Sequence, residues 1–301
     1  MSQTSDPHIE VVAKSIYWGV GPFCFQLRSQ DEKALRHAAA VFAPWRLHTA
    51  AVEPTHRYQV DREDDGLPTW SIRQDRKFCG RTRSVTDAIR WIEYQAVASV
   101  AESRGTLTLH AALVANPVSS GGPAQGVLIL GPSLSGKSTL ATALWHQGHQ
   151  LMGDDLTILL DVPDKIVAPS PRRVSLRSGS HEFFPNQALQ GIREQSEFEE
   201  TDEGWLFHPH TEGQPVDRSQ CALAGIVFLA RRGSEHRKPQ LQPVDAPSAL
   251  LSCAGYANRS HQGRFGATLR ELQPWISAVP SFDLGRGSVD EMARAVGELI
   301  D

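Results

Sequence analysis

The sequence lacks the features that mark exported, membrane-spanning or cysteine-stabilised proteins. It has four cysteines in 301 residues, and their wide spacing argues against a disulfide framework and a cysteine-built zinc site. The longest nearly unbroken apolar run, Cys221 to Ala230, is ten residues, about half of what a membrane-spanning helix requires. The segment Met1 to Ser15 is polar and lacks the basic-then-apolar order of a secretory signal. We therefore predict a cytoplasmic protein with no membrane partner.

Excess positive charge is lacking as well. The chain has 30 Lys and Arg residues against 34 Asp and Glu residues, for a formal net charge of −4. A surface that binds the phosphate backbone of nucleic acid needs clustered basic residues, so we predict no nucleic-acid partner. Among the 12 histidines, His208-Pro-His210 is the one tight pair, and it has no third ligand at a suitable spacing. A histidine-built metal cluster is therefore not expected.

The length suits two domains or one large one, at about 150 residues per domain. Residues 1–83 have short alternating runs and turn residues around one helix, Asp31 to Phe42, which predicts a small, strand-rich α+β accessory region. Residues 84–301 form the second predicted domain, which opens with a helix from Val85 to Ser103. Residues 176–220 show no sustained period, and we predict a long excursion over the surface there.

The second domain has a pattern of strands and helices. The predicted strands are Thr106 to Ala115, Gly126 to Leu130, Asp155 to Leu160, Leu223 to Ala230 and Phe282 to Leu284. The predicted helices are Leu140 to His146, Pro247 to Tyr256 and a final helix that begins at the capping box Ser288-Val-Asp-Glu291. This alternation indicates an α/β fold.

A glycine-bounded loop with a lysine and a serine follows one of these strands. It fits the pattern G-x-x-x-x-G-K-[S/T] and lies between an apolar strand and a helix, where the pattern has physical meaning. Its backbone N–H groups can surround phosphate oxygens, and the positive end of the following helix adds to the attraction. Lys137 would reach the β- and γ-phosphates, and the hydroxyl of Ser138 would ligate Mg²⁺. The predicted nucleotide-binding residues are Gly131, Pro132, Ser133, Leu134, Ser135, Gly136, Lys137, Ser138 and Thr139.

The loop alone does not select a reaction, because transport ATPases, GTPases and kinases all use it. A transport ATPase would need an L-S-G-G-Q-like signature and an apolar strand ending in Asp-Glu, and the sequence has neither. A GTPase would need an N-K-x-D motif to read the base, which is also absent. The missing motifs therefore weaken the interpretation as a transport ATPase and the interpretation as a GTPase.

Two adjacent aspartates follow the loop after one helix and one turn. Gly153-Asp154-Asp155 precedes the apolar run Leu156 to Leu160, a spacing that can bring both carboxylates to the phosphate end of a parallel sheet. One carboxylate can hold Mg²⁺ and the other can accept the proton of an attacking hydroxyl. Upstream, His110 lies in the predicted strand Thr106 to Ala115, where a histidine is usually only packed and hydrogen-bonded.

Taken in order, His110-Ala, the loop Gly131 to Ser138 and Gly153-Asp-Asp155 resemble the HPr serine kinase family. A wider likeness to the HPr-kinase-related group often called kinase A runs from Gly19 to Arg28 through Pro169-Ser-Pro-Arg-Arg173-Val-Ser-Leu to Leu223–Ala230 and Arg231. Genes of that group are associated with small peptide-binding chaperones and peptide modification. The resemblance implies a P-loop kinase core in residues 84–301.

The resemblance also implies cofactors and roles. It implies a kinase that uses ATP and Mg²⁺ and phosphorylates a hydroxyl, with serine the expected acceptor, on a protein or peptide such as a small peptide-binding chaperone. Asp154 matches the acid/base group, Ser138 and Asp155 match the metal ligands, and His110 matches the active-site histidine. Arg172 and Arg173 fall where a positive group could meet phosphate or an acidic substrate, although adjacent loop arginines are more often simply solvated.

The chain departs from the bifunctional members of the family. Their Glu-Ile-Arg-Gly signature is replaced near Arg173-Val-Ser-Leu-Arg-Ser-Gly179, so the likeness does not extend to reverse phosphorolysis, hexameric assembly or HPr as the substrate. The sequence leaves open whether the protein forms a homo-oligomer. Two other functions also remain open: a nucleotide-gated module in which ATP orders residues 176–220 around a peptide without phosphoryl transfer, and a small-molecule kinase.

Overall fold

The computed structural model describes residues 14–20, 22–45, 47, 53–64, 68–103, 107–116, 124–170, 172–195, 197–209, 220–229, 238–257 and 265–300. Within these ranges the chain is a mixed α/β protein. It divides into two units, Met1–Gln95 and Ala96–Asp301, and the boundary falls within the helix Val85–Glu102. No helix among the described residues is long and apolar enough to cross a membrane.

The first unit is built on a five-stranded sheet. Its strands, in the order in which they pair, are β1 (Ser15–Val20), β2 (Phe23–Arg28), β3 (His56–Asp64), β4 (Pro68–Gln74) and β5 (Lys77–Thr82). β2 and β3 are parallel and the other pairs are antiparallel. The helix α1 (Glu32–Val41) begins where the side chain of Asp31 accepts hydrogen bonds from the backbone N–H groups of Lys33 and Ala34, which confirms the helix predicted there.

Aromatic side chains fill the core of this unit. The rings of Trp18 and Phe42 are stacked, with centroids 4.1 Å apart and an interplanar angle of 8°. Phe25 and Tyr58 stack against Trp18 from the neighbouring strands. Large aromatic residues bury much apolar area per residue, which lets a small sheet hold a core of its own.

The second unit contains a nine-stranded sheet, a three-stranded sheet and most of the helices. Its strands are β6 (Leu107–Leu109), β7 (Ala111–Ala115), β8 (Gln125–Leu130), β9 (Gln150–Gly153), β10 (Thr157–Asp161), β11 (Ile166–Pro169), β12 (Val174–Arg177), β13 (Glu199–Thr201), β14 (Gly204–Phe207), β15 (Cys221–Leu229), β16 (Leu241–Pro243) and β17 (Ser281–Leu284). Its helices are α3 (Lys137–His146), α4 (Asn186–Arg193), α5 (Ala246–Tyr256), α6 (Phe265–Ala278) and α7 (Val289–Gly297), and α2 (Val85–Glu102) spans the boundary between the two units.

The large sheet follows the order β6-β10-β11-β15-β8-β7-β9, with β17 also pairing with β15. β8, β15 and β17 run parallel. β7 lies between β8 and β9 and is antiparallel to both, so β8 and β9 point the same way and their carboxyl ends lie at one edge of the sheet. The sheet is therefore mixed rather than parallel as predicted, but the ends of β8 and β9 still meet at the same edge.

Alternate residues of the central strands face two different apolar clusters. One face packs against α3, α7 and the small sheet β12-β14-β13, through residues such as Val127 and Ile129 of β8. The other face packs against α5 and α6, through Leu128 and Leu130 of the same strand. Burial on both faces explains why β8 is a continuous apolar run in the sequence.

The predicted surface excursion over residues 176–220 is wrong for the part that the structure describes. Residues 178–195 and 197–209 include a 3₁₀ helix (Ser178–Phe183), α4 and the strands β13 and β14, and Ile192, Trp205 and Phe207 are buried in the core. Each element is only three to eight residues long. Such short elements produce no sustained period, so their packing decides the structure and the sequence pattern does not reveal it.

Some other predictions need smaller corrections. The predicted strand Thr106 to Ala115 is interrupted at His110, with β6 before the break and β7 after it, and Thr106 lies outside the described residues. The strand predicted from Asp155 begins only at Thr157, and the helix α6 was not predicted. The capping box at Ser288 and Glu291 is confirmed. Ala230, Arg231 and His210 lie outside the described residues.

Candidate functional site

The loop Gly131–Thr139 connects β8 to α3 at the edge where β8 and β9 end. Gly136 caps the helix with φ of 100°, a left-handed conformation that glycine adopts at little cost, and no side chain in the described part of the chain hydrogen-bonds to the cap. The first-turn N–H groups of α3 therefore point out of the helix end without a capping side chain. Such an N-terminus attracts anions through its N–H groups and its dipole.

Glycine at the start of the loop is required by close packing. A Cβ atom on Gly131 would lie 2.5 Å from Oγ of Ser135 and 3.1 Å from Cβ of Leu229. The Ser135 hydroxyl is itself buried and has no hydrogen-bond partner among the described residues. The loop thus closes tightly on itself with a polar group turned inward.

Lys137 lies within the loop rather than in solvent. Its Nζ atom donates hydrogen bonds to the carbonyl oxygens of Gly131 at 2.9 Å and Pro132 at 3.2 Å, and the residue is buried. Burial lowers the pKa of Lys137 and the charge of Arg177 adds to this effect, whereas Asp155 and Asp154 oppose it. The ammonium group is thus held near both aspartates, as the sequence analysis predicted.

Asp154 follows β9 and is fully enclosed by protein. Its Oδ2 accepts a hydrogen bond from the backbone N–H of Ser175 at 3.0 Å, and Ser138 also hydrogen-bonds to its side chain. Its Oδ1 atom is buried and has no hydrogen-bond partner in the described part of the chain. Burial raises the pKa of Asp154 to about 6, although the charge of Arg172 and the two hydrogen bonds oppose that rise.

Asp155 is next in the chain, but its surroundings are different. Its Oδ2 lies 2.6 Å from Nη1 of Arg172 and its Oδ1 lies 3.2 Å from Nδ1 of His110. Burial by itself would raise the pKa of this carboxyl group, but the hydrogen bond with His110 and the charge of Arg172 outweigh it and hold the pKa at about 2. At neutral pH Asp155 is therefore ionised, whereas the pKa of Asp154 lies much closer to the pH of the solution.

One continuous strand pairing brings His110 to Asp155. β6 pairs with β10 and β7 pairs with β9, and the backbone N–H of Ala111 donates to the carbonyl oxygen of Asp155 at 3.1 Å between them. The pairing keeps the same register on both sides of this hydrogen bond, because Leu109 pairs with Thr157 on one side and Leu113 pairs with Gly153 on the other. His110 lies at the break in one strand, and Asp154 and Asp155 lie at the break in the other.

The arginines of the resemblance are not simply solvated. Arg172 pairs with Asp155, as described above. Arg173 is buried, forms an ion pair with Glu199 at 3.0 Å and donates to the carbonyl oxygen of Glu197 at 3.2 Å. It joins the site strand β12 to the segment before β13 and does not face the loop as a free cation. The sequence carried no signal for these long-range partners.

A further contact joins the loop to the small sheet. The hydroxyl of Thr139 lies 2.8 Å from that of Ser180, in the 3₁₀ helix Ser178–Phe183 that follows β12. Sequence analysis did not identify Ser175, Ser180 or Arg177 near the site. All three lie in the segment that was predicted as, or just before, a surface excursion.

The donor set fits a magnesium–phosphate group. Among the described residues no three His, Cys, Asp or Glu side chains cluster closely enough to hold a metal ion. Mg²⁺ in phosphoryl-transfer sites is bound by one or two protein oxygens together with substrate phosphates and water, so Ser138 and the ionised Asp155 suit it. Oδ1 of Asp154, which has no hydrogen-bond partner among the described residues, could accept a proton, and the N–H groups at the start of α3 could bind phosphate oxygens.

No family model matches the chain, and no curated protein matches it. A solved structure with some likeness is the HPr(Ser) kinase/phosphatase from Coxiella burnetii, with 17% sequence identity, coverage of 64% of this chain and 94% of that chain, and a TM-score of 0.32. This is a weak structural neighbour. The assignments below are therefore argued from the residues of this chain.

Proposed function

We propose that this chain is an ATP- and Mg²⁺-dependent kinase of the P-loop type, which transfers the γ-phosphate of ATP to a hydroxyl group of a protein or peptide, with serine as the expected acceptor. One observation carries the proposal: Lys137 and Ser138 of the loop lie together with Asp154 and Asp155 at one edge of the sheet. Residues 84–301 would form the catalytic domain, and residues 1–83 an accessory region that docks the acceptor or builds an interface.

The loop residues Gly131–Thr139 would hold the phosphates. Lys137 is kept in place by two loop carbonyls, and its charge offsets that of the β- and γ-phosphates. The N–H groups at the start of α3 add a fixed dipole that needs no rearrangement during the reaction.

Asp154 would act as the general base. The acceptor oxygen attacks the γ-phosphorus, its proton passes to Oδ1 of Asp154, and a new O–P bond forms as the bond to the β–γ bridging oxygen breaks and ADP departs. The orientation of Asp154 supports this role, because Ser175 holds Oδ2 and leaves Oδ1 without a partner among the described residues.

Asp155 and Ser138 would hold the metal. Mg²⁺ supplies positive charge that stabilises the phosphoryl group during transfer. Asp155 would have to exchange Arg172 for the metal, and His110 orients its second oxygen. Arg172 would then be released from its ion pair with Asp155.

The central test is phosphoryl transfer from γ-labelled ATP. The purified chain is incubated with Mg²⁺ and with proteins or peptides that co-purify with it, and acid-stable label on the acceptor is measured. We expect Lys137→Ala to abolish labelling, and Asp154→Asn to lower the rate by roughly 10²–10⁴-fold while nucleotide binding is retained. Lys238→Ala and Asp164→Asn change exposed residues outside the site and serve as matched controls.

The alternatives have their own outcomes. Nucleotide-dependent capture of a peptide with no label on any acceptor would replace the kinase proposal by a nucleotide-gated binding module. A labelled small molecule, detected by mass spectrometry of treated cell extract, would indicate a small-molecule kinase. Normal turnover by Asp154→Asn would remove the proposed base.

A further inference from the structure

The segment from Ser175 to Ser180 runs beside the phosphate loop and is attached to the site at both ends. The backbone N–H of Ser175 holds Oδ2 of Asp154, and the hydroxyl of Ser180 contacts that of Thr139. Arg177 lies between these two contacts, at the end of β12. These two contacts therefore hold the backbone of Arg177 at a fixed place beside the loop.

Alternation along β12 turns Arg177 away from the core. Val174 and Leu176 are buried among apolar residues, whereas Arg177 is exposed on the opposite side of the strand. Arg177 lies close enough to Lys137 for its charge to lower the pKa of the lysine, because two positive groups repel each other.

No carboxylate among the described residues forms an ion pair with Arg177, whereas its neighbours Arg172 and Arg173 each have one. Two cations held near each other, one of them without an acidic partner in the described part of the chain, form a site for a polyanion. A guanidinium group matches the geometry of phosphate oxygens and can donate two hydrogen bonds to them.

We propose that Arg177 is a second cationic ligand for the terminal phosphates of the nucleotide that the loop binds. This inference rests on the proposed function, since it takes phosphate binding at Gly131–Thr139 as given. It adds a residue from outside the loop, and it assigns the segment after β12 to the nucleotide site rather than to the surface.

The test is binding of MgATP and of magnesium tripolyphosphate, which has no base or sugar and so reports on phosphate contacts alone. Isothermal titration calorimetry is carried out on the full chain with Arg177→Ala, Arg177→Lys and the control Arg270→Ala. Arg270 is an exposed residue of α6, which packs on the opposite face of the sheet from α3. Its replacement removes the same charge from the second unit.

We expect Arg177→Ala to weaken binding of both ligands by about tenfold, as the loss of one charge-assisted contact predicts. Arg177→Lys keeps the charge and should recover part of the loss, and Arg270→Ala should bind like the unmodified chain. Circular dichroism and thermal unfolding should be unchanged, because the Arg177 side chain is exposed.

Three results would overturn the inference, and each has a different meaning. If the unmodified chain binds ATP and Arg177→Ala binds it equally well, Arg177 is not a phosphate ligand and the proposed kinase function survives. If the unmodified chain binds neither ligand, the proposed function fails and the inference fails with it. An equal loss in Arg177→Ala and Arg270→Ala would show a general charge effect and would also overturn the assignment.

Discussion

At the scale of single residues, the two adjacent aspartates have opposite environments. Asp154 is enclosed and has one oxygen without a partner among the described residues, while Asp155 is held by Arg172 and His110. Sequence alone could place both carboxylates near the loop, but not tell them apart, because their difference arises from Ser175, Arg172 and His110. Neighbours distant in the chain thus give two identical side chains different chemistry.

Asp154→Asn should stabilise the metal-free, nucleotide-free protein at neutral pH. A folded-state pKa raised to about 6 means that the folded protein binds this proton more tightly than the unfolded chain. The stabilisation is complete below about pH 4, where the unfolded carboxyl group is also protonated, and is lost as the pH rises through about 6. At pH 7–8 the variant should gain up to roughly 3 kcal/mol over the unmodified chain.

Denaturant unfolding at pH 4, 6 and 8 measures this difference, which should shrink to nearly nothing at pH 4. Asp164→Asn, on an exposed turn, is the matched control. A variant at Asp154 that is less stable than the unmodified chain at pH 8 would contradict the prediction. A variant that is more stable but no longer transfers phosphate is typical of an active-site residue whose charge is needed for function and lowers stability.

At the scale of secondary-structure elements, local signals predicted the structure well and long-range packing limited the rest. The helix capped by Asp31, the loop before α3 and the capping box at Ser288 were predictable because the stabilising groups lie within a few residues of one another. The elements over 178–209 were missed because each is short and is stabilised by burial. The predicted residues that follow β9 and those at the start of α3 lie near each other, whereas the neighbours on β12 and after it were not predicted.

Gly131→Ala tests whether tight closure of the loop matters. The added methyl group meets Ser135 and Leu229, so we expect a loss of about 1–3 kcal/mol in the free energy of unfolding, and weaker ATP binding. The double variant Gly131→Ala/Ser135→Ala removes the closest clash and should recover part of both losses. Binding and denaturant unfolding are measured on each variant.

Gly191→Ala is the matched control for this substitution. A Cβ atom at Gly191 in α4 meets no atom within 4 Å, and alanine favours a helix over glycine. That variant should be neutral or slightly more stable and should bind ATP normally. Equal effects at positions 131 and 191 would show that loop closure is not the cause.

At the scale of the whole molecule, the predicted nucleotide site belongs entirely to the second unit. The loop, both aspartates, His110 and Arg177 all lie in Ala96–Asp301. The first unit has its own sheet and its own aromatic core. We propose that it takes part in acceptor recognition or assembly rather than in phosphate binding.

MgATP should stabilise the protein and do so through the second unit. At a hundredfold excess over Kd, the stabilisation of about 2.7 kcal/mol should raise the Tm on the order of 5 °C, and chelation of the metal should reverse most of the rise. Hydrogen–deuterium exchange followed by mass spectrometry should show the strongest protection over residues 131–140. Lys137→Ala should show neither effect, and protection confined to β1–β5 would contradict the assignment.

The shared register of the two bent strands limits which changes in length the site can tolerate. His110 and Asp155 meet because β6 with β7 and β9 with β10 keep one alignment on both sides of the break. The pairing of β7 with β9 contains a bulge between Leu113↔Gly153 and Val114↔Leu151, whereas β7 pairs with β8 without interruption from Ala111 to Ala115. Deleting one residue between Ala111 and Leu113 would exchange the inward and outward sides of the strand before the deletion and carry His110 away from Asp155. Insertions can be absorbed in the turn at 162–165, whereas β7 can change only by substitution.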